Sequence, residues 1–237
     1  MPIAAPVACL VAAALNDSAS KQEGIHAMAK PILYGRTGWG SVLIEAQLTW
    51  YDMDYDFRPV GDLLDDEAAR QSLVGINPVA QVPTLILADG TVMTESAAIT
   101  LWLAEHIART DLVPGVGDPD RARFLRWLVF IVANIYPTYT YGDSPSRFVP
   151  DERAREGFKQ QVVEHAKRMY RIVDDIAGDP WFLGERFSAI DIFICALSHW
   201  RPGPKWFSRE TSTLASIATA TQAHPKLADV WARNYPS

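Results

Sequence analysis

The sequence predicts an α/β domain followed by an all-α domain. Strand-length apolar runs alternate with helical spacing as far as about residue 107, in the order βαβ–ββα. Beyond residue 120 the strand signals stop and only helical periods remain. With 237 residues, 49% of them apolar, the chain can bury a substantial core and is unlike a disordered one.

The elements follow in order. Pro31-Ile-Leu-Tyr-Gly35 is a short apolar run closed by glycine, a buried strand. Gly40 to Tyr51 has helical spacing, with Val42, Leu43, Ala46 and Leu48 inside and Glu45 and Gln47 expected outside. Tyr55 to Pro59 is a second strand, parallel to the first because a helix-length crossover joins them. Asp65-Asp66-Glu67 opens a helix with acids in its first turn. Thr84 to Leu87 is a third strand, and Pro83 sits ahead of it because proline cannot donate to a ladder. Ala88-Asp89-Gly90 is a hairpin turn, Thr91 to Met93 the fourth strand, and a helix runs from Glu95 to about Ile107.

Asp111 to Asp120 is rich in turn formers and reads as a linker. Helices are expected at Arg121 to about Tyr136, where Pro137 kinks or ends the period, and at Asp151 to about Ile176. Ser188-Ala-Ile-Asp191 has the spacing of a capping box with Asp in the third position, a folding device rather than a catalytic pair. These signals bound domains at 31–110 and 119–237. Residues 1–27, alanine-rich and without a leading basic residue, are expected to be a disordered extension outside the fold.

Composition narrows the function. A net charge of −6 argues against nucleic acid as a partner. No apolar run reaches about eighteen residues, so no membrane span is expected. Cys9 and Cys195 cannot build a disulfide framework and there is no Cys-x-x-Cys, which points to a reducing, cytoplasmic setting. No metal site is expected.

The most informative segment is 77–99, Asn77-Pro-Val-Ala-Gln-Val-Pro-Thr through Thr94-Glu-Ser-Ala-Ala-Ile99. X–Pro bonds reach the cis form for only about 0.5–1 kcal/mol. A cis Val82–Pro83 bond turns the Val82 N–H and C=O toward an extended peptide. The helix start at Glu95-Ser96 offers N–H groups and a hydroxyl to a carboxylate. Together they describe a small-peptide site.

This segment, and the chain from about Pro31 onward, resembles the glutathione S-transferase family. The resemblance implies a thioredoxin-like first domain and glutathione as co-substrate. Val82 and Pro83 would grip its cysteinyl backbone, and Glu95 and Ser96 its γ-glutamyl end. It also implies a two-fold homodimer, formed by the first domain's hairpin and last helix against the partner's helical domain. The electrophile would lie between the domains, against Trp39, Asn134, Tyr136, Tyr139 and Tyr141, and would be small and apolar.

The implied chemistry, a detoxifying conjugation, is attack by a glutathione thiolate. A thiol near pKa 8.5 must fall by about two units, or roughly 2.7 kcal/mol, to be mostly ionised at neutral pH. One hydrogen bond to a charged group supplies about 1.5–3 kcal/mol. The family places that donor between the first strand and first helix, where this chain has Gly38 or Trp39 and no hydroxyl. Ser41, Thr37 and the N–H groups of Gly38 to Ser41 are the candidates. The same thiolate would serve an isomerase, dehalogenase or peroxidase. The missing hydroxyl keeps open a non-catalytic glutathione-binding or stress-signalling protein of this fold.

Overall fold

The structure, a computed structural model, describes residues 30–236; the expected extension at 1–27 lies outside the described residues. Four strands, β1 (Ile32–Gly35), β2 (Asp56–Pro59), β3 (Thr84–Ile86) and β4 (Val92–Met93), form one sheet in the order β2-β1-β3-β4. β1 and β2 are parallel, as the helix-length crossover requires, whereas β3 runs antiparallel to β1 and to β4. At the hairpin Gly90 takes φ +87°, and its N–H donates to the Leu87 carbonyl (2.9 Å). Only glycine adopts that backbone without a steric cost.

The first half carries α1 (Val42–Trp50), α2 (Glu67–Val74) and α3 (Ser96–Ile107). Asp66 caps α2 by accepting from the N–H groups of Ala68 and Ala69. α1 corrects the expected pattern, since Glu45 and Gln47 are both buried. The helix packs against α3, α7 and α10, so its polar side has no route to water. Glu45 is matched there by Arg233 (2.5 Å) and Asn234 (2.9 Å), which a buried charge requires. Gln47 donates to Thr100 Oγ1 (2.9 Å).

The second half is helical. α4 (Arg121–Phe130) passes through a wide π turn at Ile131–Ile135 into α5 (Pro137–Asp143). Pro137 stands at the first position of α5, where its missing N–H removes no helical bond. The long α6 (Glu152–Asp174) follows, and then α7 (Ala189–Ser198), α8 (Pro204–Glu210), α9 (Ser212–Gln222) and α10 (Ala228–Asn234). Ser188 and Asp191 form the expected capping box at α7, and Asp191 also accepts from the Phe182 N–H (2.7 Å).

One apolar core runs through both halves, joining Leu33, Val42 and Leu85 to Phe124, Phe193 and Trp231. A smaller cluster of Leu63, Ala69, Leu73 and Ala80 lies under α2, and Tyr34 and Trp39 pack on it. Cys195 is buried in the main core, and burial pushes its thiol up, which makes it an inert packing residue. No described helix is long and apolar enough to cross a membrane.

Candidate functional site

The turn from β1 into α1 is closed by Ser41. Its hydroxyl accepts from the Arg36 N–H (3.0 Å) and donates to the Arg36 carbonyl (3.1 Å). The residue is fully buried, has helical φ and ψ, and caps nothing in α1. Its one hydrogen is therefore already committed, and a sulfur could recruit it only by breaking that bond. Thr37 is exposed on the outside of the turn.

The helical half holds the same turn from the other side. Asn234 Oδ1 accepts from the Gly38 N–H (2.9 Å), and Trp200 Nε1 donates to the Gly38 carbonyl (2.8 Å). The Trp39 N–H donates to the Arg36 carbonyl (3.0 Å). Of the N–H groups from Gly38 to Ser41, those of Gly40 and Ser41 remain without a partner among the described residues. They stand at the start of α1, where the helix dipole favours negative charge.

Facing this turn is the loop before β3. The Val82–Pro83 bond is cis, and Pro83 directly precedes the strand. Asn77 holds the loop by donating to the Gln81 carbonyl (3.0 Å) and to Thr84 Oγ1 (3.0 Å). The N–H and C=O of Val82 pair with nothing among the described residues, so both stay available to an extended backbone. Past the hairpin, Glu95 holds φ +64° just ahead of α3. Such backbone costs about 1–3 kcal/mol in a non-glycine residue and clusters at functional sites. Ser96, the first residue of α3, is buried, and the first N–H groups of α3 lie beside it.

Between the two halves lies a cleft of about 440 Å³. Trp39, Tyr136, Tyr139 and Trp200 give it aromatic walls, and Gly40 and Val82 form its floor. Arg70, Arg147 and Arg201 also line it, opposed by one carboxylate, Asp143, which is ion-paired to Arg201. Tyr139 is tied back into the helical half, its hydroxyl 2.5 Å from that of Tyr170 and donating to the Arg201 carbonyl (3.0 Å). Burial pushes the Tyr136 and Tyr139 phenols well up. The Tyr136 hydroxyl is enclosed without a partner among the described residues.

Thus Trp39, Val82, Tyr136 and Tyr139 come together around the cleft. Asn134 and Tyr141 do not line it. Positions 136, 139, 140 and 143 share one helical face, and the π turn swings Asn134 away, where its amide donates to the Phe130 carbonyl (3.1 Å). Tyr141 is exposed and meets Phe148 edge to face (4.9 Å between ring centres). Sequence reasoning missed Trp200, Arg201 and Asn234. An aromatic and an arginine in the break before Pro202-Gly203 are a usable loop signal for the first two. Asn234 contacts a turn 196 positions away and carries no local signal. Among the described residues no cluster of His, Cys, Asp and Glu could hold a metal ion.

A sequence profile of the glutathione S-transferase N-terminal domain matches residues 44–106. The Escherichia coli K12 protein YncG, described as an uncharacterized GST-like protein, is 39% identical over 203 residues, covering 85% of this chain and 97% of YncG. The chain belongs to the glutathione S-transferase family. A probable maleylacetoacetate isomerase of Caenorhabditis elegans is 37% identical over 211 residues, 83% of this chain and 94% of that protein. Among solved structures, a Sulfitobacter glutathione transferase homologue crystallised with bound glutathione superposes with a TM-score of 0.77. It is 24% identical, and the match covers 86% of this chain and 97% of that one. That likeness supports the architecture of this family member, a thioredoxin-like domain followed by a helical one.

Proposed function

We propose that this family member is a glutathione transferase. It binds glutathione, holds its thiol as a thiolate and directs it at a small, apolar electrophile in the aromatic cleft, a detoxifying reaction. The observation that carries the reading is the unpaired backbone of Val82, which lines one cleft together with Gly40, whose N–H is also free among the described residues. Val82 and Pro83 take the cysteinyl backbone in this reading, and Glu95 and Ser96 take the γ-glutamyl end. Trp39, Tyr136 and Tyr139 wall the electrophile side, without Asn134 and Tyr141. Retention on immobilised glutathione, followed by a conjugation assay against aromatic electrophiles, tests it. A chain that passes unretained and shows no binding by calorimetry rules it out.

A second reading, a glutathione-binding protein without catalysis, is favoured by one observation: the Ser41 hydroxyl is spent on Arg36. The pKa of the bound thiol separates the two, since only an enzyme needs it lowered. An isomerase, dehalogenase or peroxidase would share the lowered thiol and differ in the substrates it turns over.

The proposal carries a homodimer and a cytoplasmic setting, with domains bounded at 31–110 and 119–237. Val92 stands exposed on the hairpin, and Trp102 stacks on His106 (4.4 Å) on α3, apolar surface on the two elements expected at the interface.

A further inference from the structure

We propose that the Tyr136 hydroxyl, carried in from the helical half, donates the hydrogen bond that holds the glutathione sulfur as a thiolate. The inference rests on the transferase reading and names the donor that reading lacks.

Three tyrosines meet at this wall, and their hydroxyls differ. Those of Tyr139 and Tyr170 satisfy each other, and Tyr139 also donates to Arg201. Of the three, only the Tyr136 hydroxyl is enclosed with no partner among the described residues. Native chains leave a buried hydroxyl unpaired only where something accounts for it. Its surroundings supply the account. A methyl group at Gly40 would stand 2.2 Å from the Tyr136 oxygen and 2.9 Å from the Val82 carbonyl oxygen. Glycine at this position is what lets the phenol approach the α1 start and Val82 at once. The ring walls the electrophile side while the hydroxyl reaches the glutathione side of the cleft, among the groups proposed to receive the cysteinyl unit.

The other hydroxyls fail. Ser41 donates to Arg36, and Thr37 is exposed outside the cleft lining. Burial, with the negative charge of Glu95 and the neighbouring Tyr139, keeps the Tyr136 phenol protonated, so it serves as a donor and not as a base. Arg70, Asp143, Arg147 and Arg201 are the charged groups elsewhere in the cleft. On binding, the thiol proton leaves to solvent, the sulfur keeps its electron pair, and the phenol retains its own proton while bonding to the sulfur. The Gly40 and Ser41 N–H groups add the helix dipole.

Ultraviolet titration of bound glutathione in the full chain, as wild type, Tyr136→Phe and Tyr139→Phe, tests this. Tyr136→Phe deletes one unpartnered oxygen and leaves the packing intact. The expected result is a bound thiol well below pKa 8.5 in the wild type, raised by about one to two units in Tyr136→Phe and unchanged in Tyr139→Phe. The conjugation rate below the thiol pKa should fall about 10- to 100-fold with Tyr136→Phe. If the wild-type thiol is lowered and Tyr136→Phe leaves it so, the inference is overturned and the transferase reading stands. A wild-type thiol titrating like free glutathione overturns both. A crystal structure of the wild type with glutathione reads the same point without any variant: the sulfur lies within about 3.5 Å of the Tyr136 oxygen, or the inference fails.

Discussion

At the scale of single residues, the binding turn is built from hydroxyls and backbone groups that are either spent or free. Ser41 is spent. Ser41→Ala strips the Arg36 N–H and C=O of their partner and should lower stability by about 1–3 kcal/mol in denaturant unfolding, with no change in the bound thiol's pKa. A raised thiol pKa in that variant would return Ser41 to its place as a candidate donor. Ser96 stands at the start of α3, buried beside the first N–H groups of the helix. Ser96→Ala removes the bond proposed to hold the γ-glutamyl carboxylate and should weaken glutathione binding by about 1.5–3 kcal/mol by calorimetry. Unchanged affinity would move the γ-glutamyl end elsewhere.

At the scale of elements, two helices carry polar devices that decide how the halves meet. α10 brings Asn234 to both Gly38 and Glu45, so one side chain fixes the binding turn and helps neutralise a buried acid. Asn234→Ala orphans the Gly38 N–H and should cost about 1–3 kcal/mol of stability, read as a lower denaturation midpoint at unchanged slope. α7 begins with the Ser188–Asp191 box, whose carboxylate is buried deeply enough to push its pKa up to about 6 from 3.8, despite the N–H groups of Phe182 and Ser188. Because the folded value is the higher one, the unfolded chain loses this proton first. The Asp191 contribution therefore declines as pH rises from about 4 to about 6, by about 3 kcal/mol, and is level outside that window. Unfolding of Asp191→Asn across the same range should lack this decline, although the variant is less stable throughout. Parallel curves for the two chains would show that Asp191 keeps an ordinary pKa.

At the scale of the whole molecule, the continuous core makes the halves one packed body and sets the cleft walls at fixed separation. Val92 is exposed on the hairpin and Trp102 half-buried on α3, and the proposed homodimer would cover what they leave open. Sedimentation at micromolar concentration should give about twice the 26.3 kDa chain mass. A mass of one chain would leave the transferase site without a second copy and remove the dimer.

Local order was legible in the sequence because it has local causes. Proline ahead of β3, Asp-Gly at the hairpin, acids at the start of α2 and the Ser188–Asp191 box each act within a few residues of themselves. The same is true of the Val82-Pro83 and Glu95-Ser96 pairs, which is why the groups proposed to take glutathione stand out as a spacing. The inside and outside of α1 were not legible, since period alone assumes one wet face and α1 has none. The cleft was legible only in part: Tyr136 and Tyr139 share a face, but the π turn that turns Asn134 away breaks the 3.6-residue period on which that reading depends. Which polar groups are already spent is settled by the folded chain alone. Whether Ser41 bonds to Arg36, Asn234 reaches Gly38, or the Tyr136 hydroxyl stands alone against Gly40 depends on contacts between residues far apart in sequence. A hydrogen bond is a matter of ångströms in space, and sequence spacing carries that information only within a single turn or helix face.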